Sequence, residues 1–223
     1  MPLTADCINT KSINGRNATP LGVFPAVRYV LGSINLDPAS DHEINAQVVA
    51  DRIYSLKNDG FVQQWEAKTL WLNPPGTTVT GGTSEERLYW LSEMKKKAEE
   101  RSPKPKDVSV IKAVQWIRKL HFSFLWDEVE SAISLVYRGG SLGSIGKEIL
   151  SDCLICQTAG NSESPMINGS GRISFELIDE NGDRISESAN TQSSAFLLFS
   201  NDEKVRSRFV EAFSQFGVVF KPL

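Results

Sequence analysis

Residues 69–76 read Thr69-Leu70-Trp71-Leu72-Asn73-Pro74-Pro75-Gly76. The first four are β-favouring and apolar, and the two prolines that follow cannot donate ladder hydrogen bonds. The run is therefore a short strand with Asn73 standing at its carboxyl end. Upstream, Ile34-Asn35-Leu36-Asp37-Pro38 has the same form: a short strand, a polar residue at its end and a proline that bars continuation. In open α/β sheets ligands bind at that edge, so Asp37 and Asn73 are the first candidates for a functional site.

Working outward, Val23 to Leu31 is helix-like, with Pro25 tolerable in the first turn and Gly32 as the stop. Glu43 to Ala50 is a second helix with Asp41 as its cap, and Lys57-Asn58-Asp59-Gly60 is a turn. From Ser84 the pattern SEERLYWLSEMKKKAEER is helical, with acids first and bases last, as the helix dipole favours. A polar linker at 102–107 precedes one or two amphipathic helices between Val108 and Leu125. Strands are expected at 132–137, 153–156, 171–178, 195–199 and 218–220, with a helix over 202–216. Alternating strands and helices of this kind define an α/β sheet. The reading is a frayed, polar stretch over 1–18 and one domain over 19–223, carrying a helical insertion at about 80–125.

The 223 residues, 40% apolar and 23% charged with five Trp and eleven Phe, exclude a disordered chain. No stretch approaches the roughly 18 to 20 apolar residues of a bilayer span, and residues 1–15 lack the apolar core of a signal peptide. Three cysteines fit a reducing cytoplasm better than a disulfide framework. The net charge of −3 argues against a wholly basic nucleic-acid coat protein while leaving room for a local basic face.

Neither a GxGxxG after an early strand nor a P-loop is present. His42 and His121 lack zinc-site spacing, so no metal is expected. Cys153 and Cys156 have CxxC spacing, but the intervening residues are β-prone and no second pair exists, so they read as buried structural cysteines whose sulfurs share one end of a strand. The segment around Asn73 has a chemical case. The exocyclic nitrogen of adenine is a poor nucleophile because its lone pair is conjugated with the ring. Two fixed acceptors, an Asn side-chain oxygen and the carbonyl of the next Pro, would hold its hydrogens, localise that lone pair and steady the developing positive charge. The bland alternative is that Asn-Pro-Pro simply ends a strand.

Taken in order, Thr19-Pro20, Leu36-Asp37-Pro38-Ala39-Ser40, Asn45-Ala46, Asn58-Asp59-Gly60-Phe61, Trp65 and Trp71-Leu72-Asn73-Pro74-Pro75-Gly76 resemble the phage Dam-like DNA N6-adenine methyltransferase family, in its NPPG-type branch. Trp116 to Leu120, Gly171 to Phe175 and Ser193 to Phe196 resemble the same family further on, so the resemblance runs from about residue 19 to the C-terminus. It implies a Rossmann-like sheet with helices on both faces that binds S-adenosylmethionine at its carboxyl edge. It also implies transfer of a methyl group to a flipped adenine in double-stranded DNA, without a metal, in the cytoplasm of the cell or phage host. Asn73, Pro74, Pro75 and Gly76 would be the catalytic segment. Thr19, Pro20, Asp37, Pro38, Ala39, Asn45 and Asp59 would bind the cofactor. Gly76 departs from the aromatic that many amino-methyltransferases use to stack on the base. That departure keeps a second reading open, a catalytically inactive protein of this fold that binds DNA or cofactor. A small-molecule or protein methyltransferase is a third reading.

Between Lys95 and Lys119 there are nine basic residues against three acidic ones, a local charge of +6. Lys95, Lys96, Lys97 and Lys104 are the candidate phosphate contacts, with Arg172 as a further one; a solvated helix face is the plain alternative.

Overall fold

The computed structural model describes residues 16–55, 58, 60–75, 113–137, 145–160, 164–167, 171–178, 184–189 and 193–222. The elements run β1 (Arg16–Ala18), a 3-10 turn (Leu21–Val23), α1 (Phe24–Leu31), β2 (Ile34–Asp37), α2 (His42–Val48), β3 (Ala50–Ile53) and β4 (Ala67–Leu72). After these come α3 (Ala113–Leu125), β5 (Val129–Tyr137), α4 (Lys147–Leu150), β6 (Cys153–Thr158), β7 (Ser174–Ile178) and β8 (Arg184–Ala189). The chain continues through β9 (Ser194–Ser200), α5 (Glu203–Phe213) and β10 (Gly217–Phe220). Seven strands form one mixed sheet in the order β10-β6-β9-β5-β4-β2-β3, and β1-β7-β8 form a separate antiparallel sheet.

The strands β3, β2, β4 and β5 are mutually parallel, whereas β9 runs antiparallel between β5 and β6. Both faces of this sheet are covered. One carries α1 and α5, which pack on Trp71, Ile133, Leu135, Phe196 and Leu198. The other carries α3, whose Trp116, Ile117 and Leu120 join Leu70, Leu72, Ala132 and Leu197. The fold is α/β, with a seven-stranded mixed sheet between layers of helices.

Local chemistry explains the element boundaries. Pro25 sits in the first turn of α1, and Gly32 closes the helix at φ +81° with its N–H on the Arg28 carbonyl. The Asp41 carboxylate caps α2 by accepting from Ile44 N–H at 2.8 Å. Between β2 and β4, part of the pairing passes through side chains: Thr69 Oγ1 accepts from Asn35 N–H at 3.1 Å, and Asn35 Oδ1 accepts from Thr69 N–H at 3.2 Å.

Several expectations are corrected. The stretch 1–18 is not wholly frayed, because Arg16–Ala18 pairs with Ile178, Leu177 and Glu176 of β7. The second helix stops at Val48 rather than Ala50, since Val49 takes a left-handed conformation (φ 54°) and Ala50 opens β3. The Asn45 amide fixes this break by accepting from Ala50 N–H and donating to Ala50 O. Of the helical insertion expected at about 80–125, residues 80–112 lie outside the described residues, and Ala113–Leu125 form α3, which is part of the main core. Cys153 and Cys156 are buried and free, but three residues apart on a strand they face opposite sides of the sheet, not one end of it.

A β-branched residue in the left-handed region costs about 1–2 kcal/mol, and Val49 is 62% exposed, so it recovers little by burial. Val49→Gly should therefore raise stability by about 0.5–1 kcal/mol after the backbone-entropy cost of glycine. Chemical denaturation would show this as a higher midpoint at unchanged slope, and an unchanged or lower midpoint would mean that the strain is not stored there.

Candidate functional site at the carboxyl edge of β2 and β4

The order β3-β2-β4 sets the location. From β2 the chain passes through α2 to β3 on one side, while β4 and β5 lie on the other. The helix α2 packs through Ile44 and Val48 on the α1 face, whereas α3, which lies between β4 and β5 in the chain, packs on the opposite face. Neighbouring strands whose connections leave in opposite directions leave a crevice outside their carboxyl ends, the switch point where doubly wound sheets bind ligands.

Asp37 and Asn73 stand at that switch point. Leu36 is opposite Leu70, so Asp37 stands level with Trp71 and Asn73 follows two residues further along the adjacent strand. With strand spacing and rise at their usual values, their Cα atoms are about 8 Å apart.

The Asp37 carboxyl is 2% exposed. Burial pushes its pKa up to about 7, against the opposing effects of the Ala39 N–H and the Ser40 side chain, and the Asp41 carboxylate adds to the rise. The turn that follows is held on both sides. Ala39 N–H donates to Asp37 Oδ1 at 3.1 Å, Tyr54 N–H to Asp37 O at 3.1 Å, and Ser40 N–H to Tyr54 O at 2.9 Å. Gly60 presses on this turn so closely that a Cβ there would stand 1.8 Å from the Pro38 carbonyl oxygen. Only glycine fits at this approach.

Asn73 is half-buried directly after β4, and its Nδ2 donates to Thr19 Oγ1 at 3.2 Å. Thr19, itself 4% exposed, leaves β1 and precedes the buried Pro20. This contact orients the amide: the nitrogen is committed to Thr19, and Oδ1 is the atom presented elsewhere. Pro74 is buried and Pro75 half-buried, so the turn after β4 is anchored as well as stiff.

The remaining expected residues fall as follows. Pro38 is buried and Ala39 half-buried in the Asp37 turn, while Asn45 lies in α2 with its amide on Ala50. Asp59, Gly76, Lys95, Lys96, Lys97 and Lys104 lie outside the described residues. Arg172 is half-buried beside Gly171, which packs on the backbone of Thr158 to Gly160 at the carboxyl end of β6. Lys119, counted in the basic stretch, is 2% exposed inside the protein and so forms no part of a DNA-facing surface. Trp71 is a core residue, edge-on to Phe24 at 5.4 Å.

Among the described residues, the cysteines and His121 stand apart from Asp37 and Asn73. Burial pushes the Cys153 and Cys156 thiols up to about 12. His121 Nε2 meets Asp152 Oδ2 at 2.6 Å, next to the amino end of β6. Among the described residues no cluster could hold a metal ion, and no helix is long and apolar enough to cross a membrane. Two roles escaped the sequence reading: Thr19 as the partner of Asn73, and the loop at 60–65 as a strap over the Asp37 turn. The only signal for the strap was a glycine followed by an aromatic pair at Phe61 and Trp65. Compared with protein-family models, with curated proteins and with solved structures, the chain finds no match.

The raised Asp37 pKa sets a sign for stability against pH. The folded protein keeps the proton up to about 7, whereas an unfolded Asp releases it near about 4, so between those values the native state binds more protons. This group's contribution therefore falls as pH rises through that window and levels off above it. Asp37→Asn should lose this slope, and denaturation at intervals from pH 4.5 to 7.5 should show the variant gaining on the parent. Parallel curves would mean that the carboxyl is ionised throughout.

Proposed function

We propose that this chain is an S-adenosylmethionine-dependent DNA adenine N6-methyltransferase with a Rossmann-like sheet. The observation that carries the reading is the pairing of a buried carboxyl, Asp37, with an oriented amide, Asn73, across one switch-point crevice. The donor set suits the cofactor. A buried carboxyl that ionises only near neutrality is complemented by a ligand carrying positive charge, and S-adenosylmethionine carries both an ammonium and a sulfonium group. When bound, that cofactor supplies an electrophilic methyl group.

The protein's own residues do the rest. Asp37 and the Pro38-Ala39 backbone hold the cationic end of the cofactor. Asn73 Oδ1 and the Pro74 carbonyl accept the two hydrogens of the target amino group, which localises its lone pair and stabilises the charge that develops on nitrogen. Thr19 keeps Oδ1 turned towards the substrate by occupying Nδ2. Thr19 thus positions Asn73, in addition to the cofactor contact expected from the sequence. Double-stranded DNA as the substrate rests on the resemblance around Asn73 and on the basic residues Lys95, Lys96, Lys97 and Lys104.

The test is transfer of labelled methyl from S-adenosylmethionine to unmethylated duplex DNA, with protein and free adenine as controls. Label on DNA alone is expected, and label on none of the three contradicts the reading. Asn73→Ala should spare cofactor binding and lower turnover about a hundred- to a thousand-fold, the usual cost of one transition-state hydrogen bond. Thr19→Val should lower turnover in the same direction by less. Turnover unchanged in both would leave Asn73 as a strand terminator.

A further inference from the structure

The loop that straps the Asp37 turn is itself held from below by a buried cation. Lys119 projects from α3 and is 2% exposed, and its Nζ donates to the carbonyl oxygens of Phe61 and Gln63. The same ammonium lies over the Trp65 ring, 4.8 Å from its centroid, and 5.6 Å from that of Phe61. Trp65 stacks on Trp116 one turn earlier in α3 at 5.7 Å, and its indole N–H donates to Gly60 O at 2.8 Å. Gly60 in turn abuts the Pro38 carbonyl. A continuous series of contacts thus runs from the Lys119 ammonium through Phe61, Gln63 and Trp65 to Gly60, and from Gly60 to the turn that carries Asp37.

From this geometry the structure assigns Lys119 as a positioning residue: its ammonium clamps the loop at 60–65 against the Asp37-Pro38 turn and so fixes where Asp37 stands at the strand end. A lysine is costly to bury, and a well-packed apolar residue would fill the same volume more cheaply. What an apolar side chain does not supply is a multivalent donor for two loop carbonyls together with attraction to two aromatic faces. Lys119 was counted in the charge of the basic stretch 95–119, and its burial takes it out of that surface. The consequence of the assignment for cofactor binding rests on the function proposed above, whereas its consequence for Asp37 does not.

The test uses the full chain with Lys119→Met, which keeps most of the volume and removes the donors. Phe124→Leu serves as a control of similar destabilising kind, because Phe124 lies on the same helix against Phe199, 5.9 Å away. Two readouts are taken: the titration midpoint of the Asp37 carboxyl by carbon NMR, and the dissociation constant for S-adenosylmethionine. Loosening the strap admits water to Asp37, so Lys119→Met should lower that midpoint and weaken cofactor binding about ten-fold, with Phe124→Leu leaving both in place. Should Lys119→Met fail to fold, Trp65→Phe removes the indole bond to Gly60 and shrinks the ring that faces Lys119 and Trp116, and should move both readouts in the same direction. A folded Lys119→Met, or failing that a folded Trp65→Phe, with the parental midpoint would overturn the assignment. If the parent binds no S-adenosylmethionine, the proposed function fails, and the Asp37 midpoint alone still decides the role of Lys119.

Discussion

The arrangement depends on one pairing, β2 against β4. Had β4 been laid beside β3, the connections would all have run one way and no crevice would lie between Asp37 and Asn73. The pairing is reinforced where the ladder is short, because the Asn35 and Thr69 side chains supply backbone partners across the two strands. Pro38 and Pro74 then prevent either strand from extending into the gap. A buried carboxyl and an oriented amide at one edge follow from where these two strands sit.

At both edges of the sheet, polar side chains fasten backbone to backbone. Asn45 closes the break from α2 to β3, and Lys119 holds the loop over the Asp37 turn. The Thr158 hydroxyl joins the end of β6 to the Gly171 and Ser194 carbonyls. The small sheet is tied in by the same region, through Thr19 after β1 and through the Tyr137 and Phe175 rings, 6.1 Å apart. Each connector satisfies backbone groups that loops would otherwise leave unpaired in a buried setting.

Strand ends were legible in the sequence because proline removes a donor wherever it falls, and this marked both Asp37 and Asn73 without knowledge of the partners. Helix caps were equally local, as Asp41 and Gly32 show. What the sequence did not reveal was set by long-range pairing. Residues 16–18 are polar and read as frayed, yet β7 pairs with them; Ala50 continues an apolar helical pattern, yet Val49 turns left-handed and β3 begins. The pairing of Thr19 with Asn73 spans 54 residues, and nothing local announces it. The burial of Lys119 is hidden for the same reason: a charge count along the chain cannot tell a solvated lysine from one that packs on two aromatic rings.

On the function proposed above, the switch point between β2 and β4 is the cofactor site. A crystal structure of the protein with S-adenosylhomocysteine addresses it directly. The account predicts density lying across the carboxyl ends of those two strands, with the amino-acid end of the ligand against the Asp37 turn and its sulfur directed towards Asn73. Density on another edge of the sheet, or a crevice closed by protein side chains in the bound form, would contradict it.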